Sequence, residues 1–233
     1  MEQYYNDFGT WIRKQLPFRV QKISIDAGFT CPNRDGKIGV GGCIFCDNKS
    51  FNPSYCSHRK SITEQLEDGK HFFAKKYPDM KYLAYFQAYT NTYDKVDKLK
   101  LLYEEALQVK DVVGIVIGTR PDCVSNELLD YLEELNKETF LIVEYGIESC
   151  NDETLHYINR GHNFACTRKA IEKTAERNIY VGGHVIMGLP GEDASESLRQ
   201  APIISSLPLT MLKIHQMQII KGTRLAKIYK EKP

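Results

Sequence analysis

The chain has 233 residues, enough for one large domain or two small ones. With 42% hydrophobic and 26% charged residues it is composed like an ordinary globular protein, and no run of 18 apolar residues offers a membrane span. A net charge of +1 gives no global attraction to nucleic acid. Seven unevenly spread cysteines argue against a secreted disulfide framework and for a reducing cytoplasmic setting. The polar start, Met1-Glu2-Gln3-Tyr4-Tyr5-Asn6-Asp7, lacks the apolar segment of a signal peptide.

In chain order, an aromatic lead from Tyr4 to Leu16 reads as helical and residues 1–19 as a lead to the main unit, 20–233. Val20 to Asp26 reads as a strand. A cysteine-bearing, glycine-rich loop follows. Ser61-Ile-Thr-Glu64 is a capping-box pattern opening a helix to about Tyr77. Lys81 to Ala88 is a strand rich in aromatics, and Val96 to Gln108 has helical apolar spacing. Val112 to Gly118 and Phe140 to Gly146 are continuous apolar strands, separated by a helix over Leu128 to Leu135. Thr167 to Arg177 is helical, Ile179 to Met187 a strand, Glu196 to Ser206 a helix, Leu212 to Ile219 a strand, and Arg224 starts a last helical piece. Apolar strands alternating with helices imply a parallel sheet covered on its outer face. Six such units suit a partial, open (β/α) barrel, whose site belongs at the C-terminal ends of its strands.

The residues with unusual chemistry fall at those ends. Cys31, Cys43 and Cys46 share the loop after the first strand. Three thiolates can hold three corners of an iron–sulfur cube and leave one iron open to a small molecule. The alternative is zinc, with Cys56 or His58 as fourth ligand. Only one Cys-x-x-Cys pair is present, however, and the long glycine-rich spacer suits a larger cluster better than a zinc knuckle.

The loop and its neighbours resemble the radical S-adenosylmethionine (radical SAM) enzymes. The usual Cys-x3-Cys-x2-Cys motif has here an eleven-residue first spacer, as in relatives of the catalytic subunit of Elongator. The small bacterial YtqA/YhcC-type group is similar over Asp26-Ala-Gly-Phe-Thr-Cys31-Pro-Asn-Arg-Asp-Gly, Tyr85 to Tyr93, Ile117-Gly-Thr-Arg-Pro-Asp-Cys123, Ile158-Asn-Arg-Gly-His162 and Lys213-Ile-His-Gln216. The resemblance implies a partial (β/α)6 TIM-like barrel of the radical SAM type. It also implies a [4Fe–4S] cluster on Cys31, Cys43 and Cys46, and reductive cleavage of SAM to a 5′-deoxyadenosyl radical. An electron donor such as flavodoxin or ferredoxin would feed the cluster.

It further assigns Phe45 to pack on adenine, and Thr90 and Asn91 to the methionine amino end. Gly146-Ile-Glu148-Ser149 resembles the Gly-Val-Gln-Ser of oxygen-independent coproporphyrinogen oxidases. That places Glu148 at the SAM ribose and Arg160, twelve residues on, at the SAM carboxylate. His184 to Glu192, through Gly188, corresponds to the segment flanking adenine; His184 stands where those relatives carry Asp. By its residue type alone His184 is equally a hydrogen-bonded core histidine. The substrate implied is tRNA, its wobble uridine remodelled from carboxymethylaminomethyl towards aminomethyl. Alternatives are a small metabolite such as a tetrapyrrole, or a non-catalytic iron–sulfur or zinc module. Family members usually continue past the sixth strand, so a C-terminal extension is expected to be missing. Cys56, Cys123, Cys150 and Cys166 have no ligand spacing and read mostly as small buried hydrophobes, with Cys56 and Cys123 in loops near the mouth. Tyr89, Tyr93, Arg120, His162, His215 and Lys221 also lie near strand ends.

Overall fold

A computed structural model describes residues 5–47, 50, 52–74 and 79–231. Six strands form one parallel sheet in simple sequential order: β1 (Val20–Ile25), β2 (Lys81–Phe86), β3 (Val112–Thr119), β4 (Phe140–Glu148), β5 (Tyr180–Met187) and β6 (Met211–Gln216). Each neighbouring pair is parallel. The sheet curls into a half-barrel with β1 and β6 as its two edges.

The helices are α1 (Phe8–Gln15), α2 (Ile62–Phe73), α3 (Val96–Gln108), α4 (Asn126–Glu138), α5 (Asp152–Tyr157), α6 (Phe164–Ala175), α7 (Ala194–Ser205) and α8 (Arg224–Glu231). Ser61 and Glu64 form the expected capping box at the start of α2. The expected end of that helix at Tyr77 and the start of the lead helix at Tyr4 lie outside the described residues. Short α5 was not anticipated. Its six residues are too few for helical periodicity to register, and only the Asn151 cap announces it.

Strand alternation sorts the side chains. Ile23, Ile25, Ala84, Phe86, Ile115, Ile117, Leu141 and Val143 point outward. They build the main core with Leu66 of α2, Leu99 and Tyr103 of α3, Leu128 and Leu132 of α4 and Ile171 of α6. Full burial of each large apolar side chain contributes about 1.5–3 kcal/mol. The inner face differs. Its lower part is apolar, from Leu83, Val116 and Ile142, and α1 closes it with Ile12 and Trp11. Trp11 meets Tyr180 edge-on at 5.1 Å. Above that plug the inward residues turn polar, and an open cavity begins. A third apolar cluster anchors the cysteine loop from outside: Ile44 packs with Leu155, Ile158, Ile186 and Leu225. Ile44 also pairs by backbone with Ile158 (3.0 Å) and Leu225 (2.8 Å). Among the described residues no helix is long and apolar enough to cross a membrane.

Candidate active site

The cysteine loop folds over the C-terminal ends of the strands and caps a cavity of about 270 Å³ inside the half-barrel. Cys31, Cys43 and Cys46 all line it, as do Phe45, Thr90, Glu148, Arg160 and His184. Eight of the eleven residues singled out from sequence therefore share one wall. The other three do not line the cavity. The Asn91 amide is buried and donates to the carbonyls of Phe86 (3.0 Å) and Gly118 (2.8 Å), stitching the ends of β2 and β3 together. Buried Ser149 donates to Glu192 and receives the Asn151 amide. Gly188 turns the chain after β5 with φ of +79°, a conformation glycine adopts without strain.

Each cysteine sulfur has a donor aimed at it. The Thr90 hydroxyl donates to Cys31 Sγ at 2.9 Å. Asn33 Nδ2 (3.5 Å) and Arg160 Nη1 (3.7 Å) approach Cys43 Sγ. Arg34 donates towards the Cys46 side chain and to its carbonyl at 3.0 Å. Burial pushes the Cys31 thiol up and the Cys46 thiol up to about 11, while Thr90 and Arg34 pull the other way. Donors facing sulfur are the environment in which iron-bound thiolates are stabilised. Two alternative zinc ligands sit elsewhere. Cys56 is packed in the main core, and neither it nor His58 lines the cavity. Among the described residues no three His, Cys, Asp or Glu side chains are placed to hold a single metal ion. Three cysteines lining one cavity, each with a donor facing its sulfur, fit a cluster, with Cys31, Cys43 and Cys46 as the residues that would hold it.

The strand ends show how the remaining wall is built. Glu148, the last residue of β4, has φ of +63°, and the register with β5 shifts between Gly146 and Glu148. This irregularity coincides with a turn of the Glu148 side chain onto Arg160, 3.3 Å away. Gly146 makes the approach feasible. A Cβ there would lie 2.4 Å from Glu148 Oε1 and 2.6 Å from Arg160 Nη2. Arg160 also donates to the Gly146 carbonyl at 2.8 Å. Arg120 grips Asp122 through two nitrogens (2.9 and 2.8 Å) and donates to the Arg160 carbonyl at 2.7 Å. Both guanidinium groups keep a buried nitrogen, Arg120 Nη1 and Arg160 Nε, with no hydrogen-bond partner among the described residues. Both arginines line the cavity, so this wall carries charge of the sign that attracts a carboxylate.

Sequence reading singled out His184 and His215 of the deeper half of the site but missed the carboxylate at its centre. Glu144, only 3% exposed, sits on the inward face of β4. It receives Lys22 Nζ of β1 (2.5 Å), His184 Nε2 of β5 (2.8 Å) and the Tyr85 hydroxyl of β2. Burial alone would raise its carboxyl. The His184 bond and the Lys22 charge outweigh that and hold it well below the usual carboxylate range. The signal was a charged residue at an inward position of an otherwise apolar strand, Phe140-Leu-Ile-Val-Glu144. Lys213 and His215 of β6 complete this floor. Burial pushes His215 down to about 4, helped by the charges of Lys213 and His184. Tyr89 and Arg120 line the cavity as well, while Tyr93, His162 and Lys221 do not.

An open parallel (β/α)6 half-barrel carrying three donor-bonded cysteines over its mouth defines a class, and sequence comparison agrees with it. The chain belongs to the radical SAM superfamily, whose sequence profile matches residues 31–199. It is an enzyme of that superfamily, and its cofactors are a [4Fe–4S] cluster and SAM. Protein YtqA of Bacillus subtilis is 38% identical over 230 residues, covering 99% of this chain and 71% of YtqA. A tRNA uridine(34) acetyltransferase of Methanocaldococcus jannaschii is 27% identical, covering 94% of this chain and 47% of that protein. The structure of Methanocaldococcus infernus Elp3 with an N-terminal deletion superposes with a TM-score of 0.66 at 19% identity. That match covers 91% of this chain and 49% of Elp3. The chain thus spans about half the length of those last two proteins.

Proposed function

We propose that this radical SAM enzyme acts on tRNA, at the C5 side chain of the wobble uridine, converting carboxymethylaminomethyl towards aminomethyl. The observation that carries the reading is the similarity over 94% of the chain to a protein named for tRNA uridine 34. When bound, the cluster and SAM supply an electron and then a carbon radical able to abstract hydrogen from substrate. The chain's own residues bind, orient and exclude water. Cys31, Cys43 and Cys46 would hold the cluster, and Arg160 with Arg120 behind it would orient the SAM carboxylate. Glu148 would face the ribose and Phe45 the adenine. Residues 20–233 are the unit that does this, with α1 of the lead closing its floor.

Two features of the mouth favour an unpaired base. Arg34 lies over the Tyr89 ring (5.6 Å) and Lys37 over the Tyr93 ring (5.1 Å), so cations from the cysteine loop pair with aromatics on the loop after β2. Such pairs offer a stacking face beside a phosphate-attracting charge. Lys221, Arg224, Lys227 and Lys230 are exposed on and before α8, whose Leu225 anchors the cysteine loop. Phosphate contacts there would make binding weaken as salt rises.

The test is reconstituted full-length protein with tRNA carrying carboxymethylaminomethyluridine. The expected result is faster formation of 5′-deoxyadenosine and loss of the carboxymethyl group from the tRNA nucleoside by mass spectrometry. Cys43→Ala should lose the iron and both signals. Modified tRNA that changes neither turnover nor its own mass would turn the assignment to a small metabolite.

A further inference from the structure

The floor of the cavity holds one cation more than its carboxylate can serve. Strand register sets Lys213 of β6 beside His184 of β5, so both side chains enter the same half-barrel interior. Glu144 is already engaged: one oxygen takes Lys22, the other His184, and Tyr85 adds a hydroxyl. Lys213 feels Glu144 only at longer range and has no hydrogen-bond or ion-pair partner among the described residues. Its ammonium stands 5.8 Å from the Tyr85 ring centroid. His215, on the same face of β6, is held neutral by its surroundings and does not compete for an anion.

We propose that Lys213 is a specificity-determining residue that receives a carboxylate of the substrate inside the half-barrel. Strand register sets Lys213 across His184 from Gly146, whose carbonyl Arg160 holds, so the two cationic groups stand on different strands around one cavity. Glu144, taken up by Lys22 and His184, reaches Lys213 only at longer range. An ammonium on the wall of a concave, partly desolvated cavity attracts an anion more strongly than one on an open surface. Lys213 lines the cavity from the edge strand β6 and is exposed to solvent, so an anion can enter without displacing packed side chains. The identification of that carboxylate with the wobble-uridine side chain rests on the function proposed above. A carboxylate-bearing small metabolite presents the same chemistry, and the test tells the two apart.

The experiment measures equilibrium binding to reconstituted protein of two probe pairs. One pair is an anticodon stem-loop with carboxymethylaminomethyluridine and the same RNA with that carboxylate methyl-esterified. The other is a propionate-bearing tetrapyrrole and its methyl ester. The expected result is that wild-type protein prefers the free carboxylate of the RNA pair by about tenfold. Lys213→Gln should bind acid and ester alike, and Lys213→Arg should keep most of the preference. Thermal melting of both variants checks folding. A preference shown only for the tetrapyrrole keeps Lys213 in its role and discards the tRNA assignment. A wild-type protein indifferent to esterification in both pairs, or a Lys213→Gln protein that keeps its preference, overturns the proposal.

Discussion

At the mouth of the half-barrel Arg120 and Arg160 each keep a buried nitrogen without a partner among the described residues, whereas on the floor Glu144 is bonded to Lys22, His184 and Tyr85. Both regions are polar, enclosed by the same strands and built on ion pairs. They differ in that the arginines of the mouth, though paired with Asp122 and Glu148, each keep one nitrogen unused. An unsatisfied buried donor costs about 1–3 kcal/mol, so folding alone gives no reason to place two of them in one wall. A saturated carboxylate hub fixes side chains across β1, β2, β4 and β5 and makes the floor rigid. The mouth thus keeps unused donor groups beside the cysteines and the floor fixes the shape of the cavity, with Lys213 the exception on the floor.

The largest effect should come from breaking the mouth. Arg160→Ala removes a guanidinium that reaches Cys43, Glu148 and the Gly146 carbonyl. If its free capacity serves the SAM carboxylate, affinity should fall by about 1.5–3 kcal/mol, roughly ten- to a hundredfold. Calorimetric titration of reconstituted protein with SAM reads this directly. Arg160→Lys should not restore it, because an ammonium cannot keep the planar set of contacts. Unchanged SAM affinity would mean that the mouth is as self-contained as the floor, and the contrast would collapse.

Breaking the floor should show in stability instead. Glu144→Gln leaves Lys22 without its counter-charge and weakens the hydrogen bond with His184, a loss of about 1–3 kcal/mol at neutral pH. The folded carboxyl lies below its ordinary value of 4.5. Its stabilisation is therefore complete above that value and is lost as pH falls through the region below it. The gap between wild type and variant in denaturant melts of cluster-free protein should be widest near pH 7 and close progressively below about 4.5. A gap that does not move with pH would show that Glu144 acts by packing and not by charge.

The two regions also differ in how far they could be read from sequence. The mouth was legible because three cysteines on one glycine-rich loop have few other uses, and because a family resemblance, not residue type, pointed to the arginine twelve residues after Glu148. The fold was legible for the same local reasons, since apolar runs such as Val112 to Gly118 admit little but a buried strand. The floor was not. Lys22, Tyr85, Glu144 and Lys213 are ordinary residues spread over four strands, and only strand register brings them together. Asn91 and Ser149 mark the complementary limit. Their types suit ligand contacts, yet neither lines the cavity: Ser149 is bonded to nearby groups, and Asn91 donates to two carbonyls while its buried Oδ1 has no partner among the described residues.

The smallest effect tests whether the donors at the mouth act on sulfur. Thr90 is fully buried, and its hydroxyl gives one hydrogen bond, to Cys31 Sγ. Thr90→Val keeps the shape and removes that bond. Such a bond favours the more negative, reduced form of an iron–sulfur cluster, so its loss should lower the reduction potential. A neutral hydrogen bond worth about 0.5–1.5 kcal/mol corresponds to roughly 20–60 mV for one electron. Potentiometric titration followed by electron paramagnetic resonance measures the shift, with iron content expected to stay at the wild-type level. The matching change on the floor, Tyr85→Phe, removes a hydroxyl that faces Glu144 and not a cysteine, and should leave the potential where it was. A fall in potential for Thr90→Val alone would separate the two regions by what their hydrogen bonds are for; equal shifts in both variants would mean that the potential responds to cavity polarity in general and that the Thr90 bond has no special part in it.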